Sequence, residues 1–431
     1  MDKEVNTIAP KKTLIVNYRE LRIGGIETYL AKLMLYSANQ GYRVIWLTTE
    51  KAYKRCHFKD IVDHPRVERV ILKGKSSVNW LKHDKISFQD EEHVTMFSVT
   101  PMTFMQAEQI REYTKNVASF NHFMALPHFT GSDYFPERTF KTKLYRKRWY
   151  NYMKKIATIL VENDCVRAFS MKHLDFFEEN YGVKIENKQE KILKKINLIK
   201  DYPDSYFEEK AQKRQDEFRI VTCGRFDFPH KGYILGLLDE YAELKKKYTQ
   251  LKLVVIGYGK DGARVDEKIA QMSPEAQKDI EIVGAVSPFD LYDYFEEGHL
   301  NIGLAGALFD GAICAIPSLC ARHYCEDCEV YGFISDMEGT YLRDEPALRL
   351  QPFIEKLIEI SDDEYINQAK RDFQRAKELK TNYPEYLFEQ QNKSSQSVIK
   401  GCLKLRAKKL SLLKVLTSKM YKLPGYESEK K

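Results

Sequence analysis

The chain has 431 residues, 43% of them apolar and 12% aromatic, which excludes a disordered protein and suits two packed domains. The formal net charge is +7; residues 401–431 hold nine Lys or Arg against two Glu, so the whole surplus lies in the tail. Eight scattered cysteines point to reduced, buried thiols, and the start of the chain lacks the basic and apolar segments of a signal peptide, so the expected location is cytoplasmic.

In chain order, Thr13–Tyr18 reads as a strand and Ile26–Asn39 as an amphipathic helix. The loop between them, Arg22-Ile23-Gly24-Gly25-Ile26-Glu27-Thr28, places paired glycines at a helix N-terminus, where backbone N–H groups receive anions. Val44–Leu47 and Val67–Leu72 read as further strands, Ile156–Val161 as another, then a helix near 166–180 and a strand at 192–198. Alternation of this kind predicts a parallel sheet with helices on both faces. His128, just past the apolar run Ala125–Leu126, is a candidate for bonding a sugar hydroxyl or diphosphate; a structural histidine is the plainer account. Arg138–Lys155 carries eight basic residues and no acid, interleaved with aromatics. That stretch and Leu403–Leu423 suit an anionic membrane surface. RNA is the rival partner, but no RNA-binding motif accompanies them, and no nucleic acid is expected.

A polar, proline-bearing stretch at Asp201–Ser205 separates the halves, and the pattern restarts with strands at Phe218–Cys223, Leu251–Ile256, Ile280–Val283 and Leu300–Leu304. The expected organisation is an N-terminal Rossmann-like domain over 1–204, a second over 205–385 and a basic helical tail over 386–431. Ligands of such sheets sit at the carboxyl ends of strands, here in a cleft between the domains. Between Phe218–Cys223 and the helical pattern Tyr233–Lys247 runs Gly224-Arg225-Phe226-Asp227-Phe228-Pro229-His230-Lys231-Gly232. Two cations delivered beside a helix N-terminus, with glycines at both rims, make a receptor for a diphosphate.

Gly257-Tyr258-Gly259-Lys260-Asp261-Gly262 matches the G-x-G-x-x-G dinucleotide pattern, which keeps an NAD-dependent oxidoreductase as an alternative. Against it, the acid that should end the next strand, Glu281, falls at that strand's beginning. Leu300–Ala321 is apolar enough to suggest a membrane span, but Asp310 and Pro317 interrupt it and favour a buried strand, turn and helix. Gly306 would open that helix toward a phosphate, and Asp310, one turn in, would accept hydrogen bonds from ribose or sugar hydroxyls. Cys320 to Cys328 suggests metal, yet no second C-x-x-C pair lies at zinc-ribbon distance.

Taken in order, Gly24-Gly25-Ile26-Glu27, the strand followed by G-R-x-D-x-x-x-K-G, V-V-I-G-Y-G and the helix-opening acid resemble the group 1 (family 4-like) glycosyltransferases of the GT-B fold, many of which assemble bacterial surface polysaccharides. The resemblance is strongest over residues 218–320. It implies an α/β architecture of two doubly wound domains facing a cleft, and transfer of a sugar from a UDP- or GDP-linked donor to a glycan or lipid-linked acceptor with retention of configuration. By the same resemblance Arg225 and Lys231 bind the pyrophosphate and stabilise its leaving charge, and Asp310 stands at the donor-sugar site; with His128, read from its own position, they are the candidate catalytic residues. Gly24, Gly25, Gly224, Gly257, Gly259 and Gly306 line the donor, and the Gly284-Ala285-Val286 turn meets the base. No D-x-D triplet occurs, so no metal cofactor is expected and the two cations take its place. One departure matters: relatives commonly carry two glutamates eight positions apart, and here Ile302 stands where the first would fall, with Asp310 as the second. A degenerate, non-catalytic nucleotide-binding homologue is therefore the second reading.

Overall fold

The computed structural model describes residues 12–22, 24–72, 86–99, 103–104, 107–108, 110, 114, 116–126, 143–196, 201–287, 290–337, 346–381 and 386–390. His128, Arg138 to Thr142 and Leu403–Leu423 lie outside the described residues. Two compact units are present: described residues within 12–20, 34–193 and 386–390 form one, and those within 21–33 and 194–381 form the other.

In the first unit, β1 (Lys12–Asn17), β2 (Arg43–Thr48), β3 (Val67–Ile71), β4 (His93–Ser98), β5 (Ser119–Leu126) and β6 (Val166–Ala168) make a parallel sheet in the order β3-β2-β1-β4-β5-β6. β1 and β2 are buried along five of their six residues, as strands covered on both faces must be. α1 (Gly25–Asn39) follows β1, its residues to Leu33 belonging to the second unit and those from Met34 to the first, while α2 (Lys143–Glu162) and α3 (Met171–Tyr181) flank β6.

The second unit opens with β7 (Lys195–Ile196) and continues with β8 (Phe218–Cys223), α4 (Tyr233–Lys247), β9 (Leu251–Ile256), α5 (Gly262–Ala270), β10 (Ile280–Ile282), α6 (Leu291–Glu296), β11 (Leu300–Gly303), α7 (Gly306–Ile313), β12 (Ser318–Ala321), β13 (Glu329–Phe333), β14 (Leu348–Arg349), α8 (Asp362–Leu379) and β15 (Lys380–Thr381), which pairs back to β7. Its main sheet runs β10-β9-β8-β11-β12-β13-β14, parallel as far as β12 and antiparallel beyond. Strand order reverses between β8 and β11, so the loops leaving these two strands diverge to opposite faces. The space above that reversal is where doubly wound sheets hold ligands. Arg225 and Lys231 leave β8 there, and Gly306 and Asp310 leave β11.

Leu300–Ala321 resolves as the expected buried strand, turn and helix, with β12 as an addition, and no described helix is long and apolar enough to cross a membrane. Ile156–Val161 is a correction: it is the end of α2 and not a strand. Met153, Ile156, Ala157 and Leu160 are buried while Lys154 and Lys155 are exposed, a period of 3.6 that a six-residue apolar run conceals. The helix expected from 166 begins at Met171, capped by Ser170, after β6. β4 and β5 were not anticipated because they carry polar residues inward. Ser98 Oγ and His122 Nε2 are 2.8 Å apart, and His122 Nδ1 is 2.5 Å from Glu108 Oε1, so each of these buried groups has a partner.

The β11-to-α7 turn is pinned by fully buried Asn301, whose Nδ2 donates to the carbonyls of Ala307 and Leu308 and to Ser318 Oγ, each at 3.2 Å. Asn301→Ala is expected to lower unfolding free energy by about 1–3 kcal/mol, because it leaves buried acceptors unmet. Urea titration checks this; an unchanged midpoint would mean that the turn does not depend on the amide.

Candidate donor site at the β8 and β11 loops

The loop after β8 is stapled to the loop after β9. Gly224 N–H donates to Ile256 O (3.0 Å), Phe226 N–H to Tyr258 O (2.9 Å), Asp261 N–H to Phe226 O (3.1 Å) and Phe228 N–H to Asp261 Oδ2 (2.7 Å). Phe226 and Phe228 are buried, whereas Arg225 before them is exposed and Asp227 between them and Lys231 after them are half-buried. The alternation is a division of labour: the phenyl rings anchor the loop in the core and the intervening side chains face outward. Asp227 pairs with Lys260 at 3.0 Å, leaving Arg225 and Lys231 as the cations of the loop that are not spent on it.

This packing gives Gly257 and Gly259 an occupant. A Cβ on Gly257 would collide with Gly224 O and the Phe226 ring, and one on Gly259 with the Phe226 backbone. The surface that a dinucleotide's pyrophosphate would approach is thus filled by the chain's own β8 loop, which removes the ground for an NAD site there. Gly224 and Gly232 are likewise hemmed in by protein. A Cβ on Gly224 would lie 3.2 Å from Ile234 Cδ1, and one on Gly232 2.7 Å from Cys325 O. Gly284 differs: it has φ +79° and open space around its Cβ position, and with half-buried Val286 it forms the turn after β10. Gly24 lies against the Glu27 carboxylate, and the N–H of Thr28 donates to its carbonyl at 2.8 Å, while the Cβ position of Gly25 is open.

The electrostatics of the loop follow from its crowding. Burial, reinforced by Arg225, lowers the Lys231 ammonium to about 8. Burial with Lys231, His323 and Arg225 nearby pushes His230 down to about 4, so its imidazole is neutral. Burial, then Asp310, pushes the Cys223 thiol up to about 12, so it is no thiolate nucleophile. Arg225 and Lys231, two cations close enough for one to lower the other's pKa, suit a bound anion.

On the β11 side, Gly306 is the first residue of α7, preceded by Ala305 at φ +50°, a left-handed conformation that a non-glycine residue adopts only under constraint. Asp310 is buried one turn in, where its Oδ1 accepts from the Tyr292 hydroxyl (3.2 Å) and from Lys32 Nζ (3.5 Å). Neither partner was singled out from sequence: Lys32 reads as one polar residue on an amphipathic helix, and Tyr292 as a core aromatic. Ile302 is fully buried inside β11, and only two residues separate that strand from α7, so its position cannot present a carboxylate to a ligand.

Among the described residues no group of three or more His, Cys, Asp or Glu is arranged to hold a metal ion. Cys320 and Cys328 are buried, and Cys325 Sγ contacts Glu329 Oε2 at 3.8 Å. Tyr324 N–H donates to His230 O at 3.2 Å, so this segment braces the β8 loop.

No family model matches the sequence, and no curated protein matches it. Solved structures match the fold. Anabaena HepE, crystallised with UDP and glucose, superposes with a TM-score of 0.56 at 14% identity, covering 93% of this chain and 100% of that one. WaaG, a glycosyltransferase involved in lipopolysaccharide biosynthesis, gives 0.53 at 15% identity over 88% and 98%. The N-terminal domain of Candida albicans trehalose-6-phosphate phosphatase gives 0.54 at 11% over 92% and 97%. Together with the two sheets these matches establish the α/β GT-B fold for nearly the whole chain.

Two outcomes follow from the loop geometry. Gly257→Ala is expected to lose about 1–3 kcal/mol of stability by overpacking and to weaken any anion bound by Arg225 and Lys231; a normal melting temperature would show that the two loops yield freely. A diphosphate bound at Lys231 stabilises its protonated form and raises its pKa. Affinity should therefore be flat below about 8 and fall above it, by up to about tenfold per pH unit. Calorimetric titration with UDP and GDP between pH 7 and 9.5 reads this, and constant affinity across that range would remove Lys231 from the site.

Proposed function

We propose that this protein is a glycosyltransferase that moves a sugar from a UDP- or GDP-linked donor to a glycan or lipid-linked acceptor. The observation that carries the reading is the β8 loop, which delivers Arg225 and Lys231 to the carboxyl edge of the sheet at the reversal of strand order. Breaking the bond between the sugar and a diphosphate leaves negative charge on the leaving phosphate. Cations fixed by a rigid loop would stabilise that charge. The fold it shares with HepE, crystallised with UDP, fits such a donor, and WaaG's part in lipopolysaccharide biosynthesis fits a role in surface polysaccharide assembly. Gly24, Gly25, Gly306 and the Gly284–Val286 turn would line the donor, with Asp310 toward its hydroxyls and His128 bonding a sugar hydroxyl or diphosphate; retention of configuration belongs to the same proposal. Exposed Lys147, Tyr150, Lys154 and Lys155 on α2 suit peripheral attachment to an anionic membrane from the cytoplasmic side.

The second reading is a nucleotide-binding homologue without turnover. It is favoured by Ile302, whose burial leaves Asp310 without the second carboxylate that relatives carry.

A thermal-shift screen with UDP, GDP, their sugar conjugates and NAD tests both readings. A ligand at a hundred times its Kd stabilises by ~2.7 kcal/mol. Stabilisation by one nucleoside diphosphate is expected, with Arg225→Ala and Lys231→Ala each weakening it about 30-fold or more. Wild-type affinity in both variants would overturn the assignment, and affinity without sugar transfer would select the homologue.

A further inference from the structure

The carboxylate of Asp310 is held by a buried chain of donors. Lys32 Nζ donates to the Tyr292 hydroxyl at 2.8 Å, and that hydroxyl donates to Asp310 Oδ1 at 3.2 Å. The ammonium lies 3.5 Å from the same oxygen and 5.3 Å from the centroid of the tyrosine ring. Relative exposures are 4% for Lys32, 9% for Tyr292 and 8% for Asp310. Three helices, α1, α6 and α7, thus supply one residue each. The second oxygen, Oδ2, lies 4.0 Å from where a Cβ on Gly306 would stand, so it is turned back along α7 toward the first turn.

A buried ammonium and a buried carboxylate are both expensive to desolvate, and apolar residues of similar size would serve packing equally well. What the ion pair adds is a fixed orientation and a fixed charge. Lys32 also balances the negative charge of Asp310, which acts on the same thiol, Cys223, as Lys231 does. An unbalanced carboxylate in that neighbourhood would oppose a diphosphate.

We propose that Lys32 and Tyr292 are positioning residues of the donor site. They clamp Oδ1 of Asp310 so that Oδ2 stays aimed over Gly306 as the acceptor for a hydroxyl of the donor's ribose or transferred sugar. This inference rests on the reading of the β8 and β11 loops as a nucleotide-sugar site.

Lys32→Met, Lys32→Arg, Tyr292→Phe, Asp310→Asn and the double variant of Lys32→Met with Asp310→Asn are titrated with UDP-glucose and GDP-mannose, alongside a melting curve for each. Lys32→Met and Asp310→Asn should each weaken the donor about tenfold, and the double variant should be no weaker than Asp310→Asn alone, because Lys32 acts through that carboxylate. Lys32→Arg should recover most of the affinity. A merely structural Lys32 would lower the melting temperature, yet its effect would multiply with that of Asp310→Asn to about a hundredfold, which overturns the proposal, as does wild-type affinity in Lys32→Met. If Lys32→Met does not melt cooperatively, Tyr292→Phe carries the test: a loss of several-fold that vanishes in the Asp310→Asn background supports the clamp, and no loss refutes it. Donor binding that is lost in Arg225→Ala but untouched in Lys32→Met would sink the clamp alone, whereas wild-type protein that binds no nucleotide would sink the functional reading and the clamp together.

Discussion

The close approach of the β8 loop to the β9 loop is the constraint on which the rest of the site depends. Neither Gly257 nor Gly259 has room for a side chain, because the Gly224–Phe226 backbone lies against them. That contact allows three backbone hydrogen bonds and one from Phe228 N–H to the Asp261 carboxylate to form, and buries two phenylalanine rings. With the backbone so fixed, Arg225 projects outward and the chain returns to place Lys231 at the start of α4. A looser loop would let Lys231 swing out into water, where its charge would be screened and its pKa no longer lowered by burial. Rigidity of the scaffold thus becomes electrostatic strain at Lys231, which the proposed diphosphate would relieve.

The β11 side works with the opposite charge. The turn into α7 is tight, pinned by Asn301 and strained at Ala305, and it leaves no loop in which a second carboxylate could stand. Asp310 is consequently the one acid of the α7 opening, and Tyr292 and Lys32 hold it from below. Under the proposed function, the cations of one strand loop would meet the negative oxygens of a sugar-linked diphosphate, and the oriented carboxylate of the next would meet its hydroxyls. Each half alone is common in proteins. Their meeting at the reversal of strand order makes the arrangement specific.

Much of this was legible in the sequence because the signals were local. Phe218–Cys223 and Leu251–Ile256 are buried parallel strands bounded by glycine, and they occur at those residues. Gly306 opens a helix, as its place after an apolar run predicted. What escaped had causes that sequence patterns do not carry. β4 and β5 hide behind inward polar residues that satisfy one another, and Ile156–Val161 loses its helical period inside an apolar run. The Gly257–Gly262 pattern was read as ligand-facing because glycine shows only that something approaches closely; here the chain itself does. Lys32 was invisible because its partners lie more than 250 residues away. The fold is shared with solved structures at 14–15% identity, among them WaaG, a glycosyltransferase.

The most direct measurement is a crystal structure with a nucleoside diphosphate bound, UDP or GDP, whichever stabilises the protein. The account predicts both phosphates between Arg225 and Lys231, with a hydroxyl of the ligand within hydrogen-bond distance of Asp310 Oδ2. A diphosphate bound elsewhere, with Arg225 still facing solvent, would contradict it.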